Sequence, residues 1–272
     1  MKSLIYTEWL KMRKYSAFWW IMGITALSYP GITLIFQNIF LDITSQPNQA
    51  STYAKMALGN PFSFPEVWHT VAYASSMFLF IPAVMVIMFI SNEYSFKTHR
   101  QNIIDGWSRD QFISSKLMDV AIITILITVY YFILALIVGL TSHDRLLQDT
   151  WGMSYFTGLF ALQTFAQLSI AFLIGFLVKK AFLALGIFLF YFVVLENLIV
   201  GFLSWKKVAI AGYFPLEISD RLIPRPAFTY LGQPEAYQRD LDAIPLHILL
   251  TLLVTAIVWL ICFRINRRKD LR

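Results

Sequence analysis

The residue types that could do bond-making chemistry are few in this chain and do not converge. The four histidines, His69, His99, His143 and His247, stand on different connections and edges, and no HExxH or other metal-ligand spacing joins them. There is no GxSxG elbow for a nucleophilic serine and no pair of intramembrane aspartates. The phosphate-cradling loop GxxxxGK[ST] is also missing, so the chain does not hydrolyse ATP. What remains is a set of polar side chains suited to holding surfaces together or lining a path.

The densest set lies between Ser91 and Leu117, which reads SNEYSFKTHRQNIIDGWSRDQFISSKL. Glu93 comes first, followed by Thr98, Arg100, a Gly106 break, Ser108, Arg109 and Lys116. A short helix between them would present Ile103 and Ile104 on basic flanks, a compact lever between two larger elements. The alternative is a solvated basic loop. Glu8 interrupts the apolar side of a helical wheel over Ser3 to Tyr15, on which Leu4, Ile5, Trp9 and Met12 gather opposite Thr7, Lys11 and Lys14. It pairs with Lys11 at helical spacing, or else makes a buried contact to the bundle or to a partner.

Further along, Gln163 and Gln167 share one helical face by their spacing and suit hydrogen bonds between helices. Glu196, followed by Asn197, stands inside a strongly apolar run, where an ionisable group costs roughly 2.5 to 3.5 kcal/mol. It either lines a pathway or dimer contact, or is protonated and hydrogen-bonded inside the bundle. Asp119 has Lys116 or Arg100 as candidate partners.

The elements that must position these groups are membrane spans. A spanning helix needs about 20 predominantly apolar residues. Six runs qualify, 18–40, 71–90, 118–140, 155–178, 181–203 and 246–263, and together they take up about half of the 272 residues. Pro30 and Pro82 fall inside the first two and are expected to kink them without ending them. The composition agrees, at 58% hydrophobic, 17% aromatic and only 14% charged. Ser3 to Tyr15 is expected to lie in the membrane interface. The connections 41–70, 91–117 and 204–245 are too short to bury a substantial core of their own. The last holds five prolines, Pro215, Pro224, Pro226, Pro234 and Pro245, which argue against another span. On its residues alone it is expected to be an external connection packed on the bundle.

Charge orients the spans. Fifteen cationic side chains fall on one side: Lys2, Lys11, Arg13, Lys14, Lys97, Arg100, Arg109, Lys116, Lys179, Lys180, Arg264, Arg267, Arg268, Lys269 and Arg272. Seven fall on the other: Lys55, Arg145, Lys206, Lys207, Arg221, Arg225 and Arg239. The positive-inside rule then places both termini in the cytoplasm, with Lys206 and Lys207 against the trend. The net charge of +6 is thus a topology signal and not a nucleic-acid footprint. A cleavable signal peptide is not expected, because the first run starts late and is too long. The single cysteine, Cys262, lies within the sixth run, so no disulfide forms within the chain.

The chain resembles the permease subunits of ATP-binding-cassette transporters of the type-2 exporter family. The likeness is carried by TEWLKMRK near the start and by Glu93, Thr98, Arg100, Ser108, Arg109 and Lys116 after the second run, within the six-span layout. One position departs from that pattern, with Lys97 where such permeases commonly have glycine. The resemblance implies an all-α polytopic membrane protein of one permease domain, with six transmembrane helices, an N-terminal interfacial helix and a cytoplasmic coupling helix at 96–112. It also implies that Glu8, Glu93, Phe96, Thr98, Arg100, Ile103, Ile104 and Arg109 serve contact with an ATPase subunit, with ATP and magnesium bound there and no cofactor in this chain. A second permease chain, identical or not, would complete the pathway in the cell's inner membrane among membrane lipids, and the connection 204–245 would form short helices that dip back into the outer leaflet and cap the pathway. A sensor or anchor subunit without transport uses the same layout, and an integral membrane enzyme is the third class.

Overall fold

The computed structural model describes residues 2–45, 60–142, 149–230 and 233–268. His143, Lys55, Arg145, Lys269 and Arg272 lie outside these residues, and the side chains of Lys2, Leu4 and Ile5 are also outside the description. Within them the chain is all-α. Five helices are long and apolar enough to cross a membrane, six if a bent pair counts as one span.

Helix α1 (Lys2–Lys14) runs into α2 (Ser16–Ser45), the first span. The second span is the bent pair α3 (Val67–Ser76) and α4 (Phe80–Ser95), whose axes meet at 49°. The bend falls at 77–79, one turn before Pro82. A proline ring collides with the carbonyl four residues back, so the disturbance appears N-terminal to it. Pro30 behaves differently, since α2 continues through it. The carbonyl that Pro30 leaves without an amide is that of Ala26, and the Tyr130 hydroxyl from another span donates to it.

A short helix, α5 (Thr98–Ile104), precedes the third span, α6 (Arg109–Thr141). The third span is 33 residues long and starts well before the apolar run at 118–140, because Ser108 and Gln111 form a reciprocal capping box. Residues 109–112 of the stretch 96–112 therefore belong to α6. Helix α7 (Phe156–Val178) is the most enclosed span and packs against α4, α6 and the last span. A Cβ on Gly175 would stand 2.6 Å from Ile90 Cγ2 and 3.3 Å from Ile87 Cα, so a small residue there sets how closely α7 approaches α4.

The fifth span starts as α8 (Ala181–Leu189), widens into a π-helical segment (Phe190–Leu195) and resumes as α9 (Glu196–Trp205). Asn197 Nδ2 donates to the Phe192 and Val193 carbonyls at 3.0 and 3.2 Å, satisfying groups that the wider turn displaces. Between the fifth and sixth spans lie α10 (Pro215–Asp220) and α11 (Pro234–Asp242). The sixth span, α12 (Ile244–Arg268), is 25 residues long and exceeds the run at 246–263 at both ends. Arg267 grips Asp110 with two nitrogens at 2.8 Å each, and Arg109 Nη1 donates to the Arg267 carbonyl at 2.7 Å. The end of α12, the start of α6, α1 and α5 thus share one end of the bundle, called here the terminal face. Helices α10 and α11 lie at the far face.

Candidate functional site

Two polar centres stand out, one at each face. At the terminal face Lys116, only 3% exposed, projects from the first turns of α6 into a space closed by α1 and α4. Its Nζ donates to Glu8 Oε2 at 2.6 Å, Glu93 Oε1 at 2.7 Å and Asp119 Oδ2 at 3.1 Å. Lys11 Nζ donates to Glu8 Oε1 at 3.0 Å and to Glu93 Oε1 at 3.1 Å. Glu8 and Glu93 therefore point inward, at 2% and 7% exposure, and tie the N-terminal helix to the ends of two spans. Burial works to raise the Glu8 carboxyl, but Lys116 and Lys11 outweigh it and hold it below the usual carboxylate range. Asp119 takes Lys116 as its partner.

Helix α5 is mounted on this cluster. Lys97, its N-cap, sits at φ 57° and ψ 18°, a left-handed conformation that glycine adopts without cost. Thr98 Oγ1 donates to the Glu93 carbonyl at 3.4 Å, and His99 Nδ1 lies 3.2 Å from the same oxygen. Gly106, at φ 98°, turns the chain from α5 toward the capping box at Ser108. The result is a small helix that ends on Ile104, 78% exposed, and is preceded by Phe96, 74% exposed at the C-cap of α4, while Arg100 and Ile103 within it are half-buried. Arg109 is occupied with the C-terminal span.

At the far face Glu196 is buried and its Oε1 accepts the Leu216 and Glu217 backbone amides at 2.8 and 2.7 Å. It caps α10 from a neighbouring span, as a side-chain oxygen at a helix N-terminus does. Gln163 and Gln167 share a face of α7 as their spacing implies, but both amides reach α10. Each donates to Asp220 Oδ1, at 2.8 and 2.7 Å, and Gln167 also reaches Ser219 Oγ at 3.2 Å. Asp220 is open to a cavity yet surrounded by protein, and that enclosure pushes its carboxyl up to about 7.

The cavity has two lobes, of about 370 and 320 Å³, that share Tyr73, Glu217, Asp220 and Ile223. Glu196 and Asn197 line the smaller lobe. Arg221, Arg225 and His247 line the larger. The sequence reading passed over Lys116 as the centre of one cluster and Asp220 as the centre of the other. The only signal for Asp220 was an acidic pair, Glu217 and Asp220, set among Leu216, Ile218, Leu222 and Ile223.

The fold defines the class first: an all-α polytopic membrane protein. A family model described as ABC-2 family transporter protein matches residues 4–195, and the chain belongs to that family, the membrane-spanning subunits of ATP-binding-cassette transporters. The match takes in α1, the terminal-face cluster and α5, and stops one residue before Glu196. Comparison with curated proteins and with solved structures finds no match.

Proposed function

We propose that the chain is the permease half of an ATP-driven exporter. In this reading an ATP-binding-cassette subunit docks on α5, and a second permease chain completes the pathway. The observation that carries it is the exposed apolar pair Phe96, at the C-cap of α4, and Ile104, at the end of α5, which flank a short helix joined to the ion-paired Glu93. An exposed hydrophobic knob on a rigid base is an interaction site, and a push on α5 is passed through Glu93 and Lys116 to α1, α4 and α6 at once. ATP and magnesium belong to the partner.

The terminal face is cytoplasmic in this reading, and the membrane is the cell's inner membrane. The described members of the fifteen-cation set that make tertiary contacts, Lys11, Arg109, Lys116, Lys179 and Arg267, gather at that face, which supports the orientation. Lys206, on the opposite side, covers the Trp205 ring at 4.9 Å, a contact suited to a membrane interface. The first and fifth spans have the least of their surface covered, 22% and 17% buried, leaving apolar faces for lipid and for the second permease chain.

Co-expression with ATP-binding-cassette subunits and affinity capture on this chain tests the reading. Capture is expected from the wild type and lost in Phe96→Asp and Ile104→Asp. Both variants should remain monodisperse, because the replaced side chains are already exposed. Capture that survives both substitutions would overturn the docking site.

A further inference from the structure

We propose that the far-face cavity binds the cationic group of an amphipathic organic molecule, with Asp220 as the counter-ion. The inference rests on the transport reading in treating this cavity as part of the pathway. Three carboxylates, Glu196, Glu217 and Asp220, line the smaller lobe, and no lysine or arginine lines it. Of the cations in the larger lobe, Arg221 is committed to Glu217 at 2.7 Å and Arg225 stacks over the Tyr230 ring at 4.8 Å. Asp220 and Glu196 make no ion pair among the described residues.

Two details point to a ligand more than to a solvated acidic face. Glu196 is 4% exposed, and its Oε2 accepts no hydrogen bond of good geometry, although Tyr191 stands beside it. Asp220 Oδ1 is fixed by two glutamine amides, so the carboxylate is held in place with its other oxygen left for a guest. Gln163 and Gln167 are fully enclosed, and such preorganisation is more than a surface aspartate needs.

The chemistry of the guest follows from the walls. Tyr73 and Phe192 offer ring faces beside the carboxylates, which favours a cation with apolar substituents. No group of three His, Cys, Asp or Glu side chains among the described residues could hold a metal ion, so a bare divalent ion does not fit. A neutral or anionic guest would leave Asp220 and Glu196 unmatched. Enclosure has already pushed the Asp220 carboxyl up to about 7, and a bound cation would draw it back toward the ionised form.

Equilibrium binding of radiolabelled tetraphenylphosphonium to the full chain in phosphatidylcholine nanodiscs tests this. The wild type should bind at one saturable site, displaced by dodecylammonium and not by dodecyl sulfate. Asp220→Asn should weaken binding at least tenfold while Asp220→Glu retains most of it. Tetraphenylborate, of the same shape and opposite charge, should neither bind saturably nor compete. Non-saturable uptake by the wild type, equal binding of tetraphenylborate, or unchanged binding in a well-folded Asp220→Asn would overturn the proposal. Because the assay needs no ATP-binding subunit, failure here with capture at α5 intact refutes the cavity alone, and failure of capture leaves this result standing.

Discussion

The terminal-face and far-face clusters both gather carboxylates and differ in what holds them: two ammoniums serve three carboxylates at the terminal face, where Glu93 Oε2 and Asp119 Oδ1 still lack a hydrogen bond, and no ammonium reaches Glu196 or Asp220 among the described residues. Around Lys116 every carboxylate touches an ammonium, and the three elements involved are locked together. Around Asp220 the carboxylates are held by amides and backbone N–H groups and face open space. Buried charge that is matched fixes a geometry, and enclosed charge that is unmatched waits for a partner. This separates a part that transmits force from a part that receives a molecule. The family match takes in Gln163 and Gln167 but ends before Glu196 and Asp220.

The largest effect should come from removing the matching cation. Lys116→Met leaves Glu8, Glu93 and Asp119 without their shared ammonium, and should cost about 3 to 5 kcal/mol. Unfolding in a mixed-micelle SDS titration measures it. If Lys116→Met unfolds at the wild-type midpoint, the terminal cluster is not the lock described here.

Glu196→Ala removes the cap of α10 and should cost about 1 to 2 kcal/mol in the same titration, less than the lysine change. A cost equal to that of Lys116→Met would erase the contrast between the two faces. Lys97→Gly should stabilise the chain by about 0.5 kcal/mol, since relief of left-handed strain slightly exceeds the entropy that glycine adds to the unfolded chain. Destabilisation would mean that the lysine side chain contributes more than its backbone costs.

The finest distinction is the sign of the pH dependence. Glu8 has a folded-state value below its ordinary 4.5, so the stability it contributes is present above that pH and is lost as the pH falls through the folded value. Asp220 is the reverse, with a folded value of about 7 against an ordinary 3.8. The folded state holds that proton more tightly, so its contribution declines as pH rises from about 4 to about 7. Asp220→Asn should flatten that decline, and Glu8→Gln should flatten the acid-side loss. If both substitutions flatten the same limb, Glu8 and Asp220 are not held in opposite ways.

The spans were legible because an apolar run of bilayer length needs no partner to announce itself, and Gln163 and Gln167 were legible as a shared helical face. Their acceptor was not, because Asp220 comes from a proline-rich connection that no spacing rule ties to α7. Lys116 and Glu8 are 108 residues apart, and only tertiary folding brings them to 2.6 Å. The bend at 77–79 was announced by Pro82, whereas the π segment at 190–195 left no mark in the hydropathy, since it arises from how carbonyls are satisfied and not from residue polarity. Lys97 was equally silent, a lysine in the left-handed conformation that glycine adopts without cost.

Cross-linking from α5 bears most directly on the central claim. Cys262, the only native cysteine, is wholly buried, so Ile104→Cys provides one accessible thiol for a benzophenone maleimide. Irradiation of membranes containing the ATP-binding-cassette subunits should yield an adduct between this chain and one of them, with none from Leu27→Cys on the exposed side of the first span. No adduct from Ile104→Cys, or equal adduct from Leu27→Cys, would contradict α5 as the point where the energy source is attached.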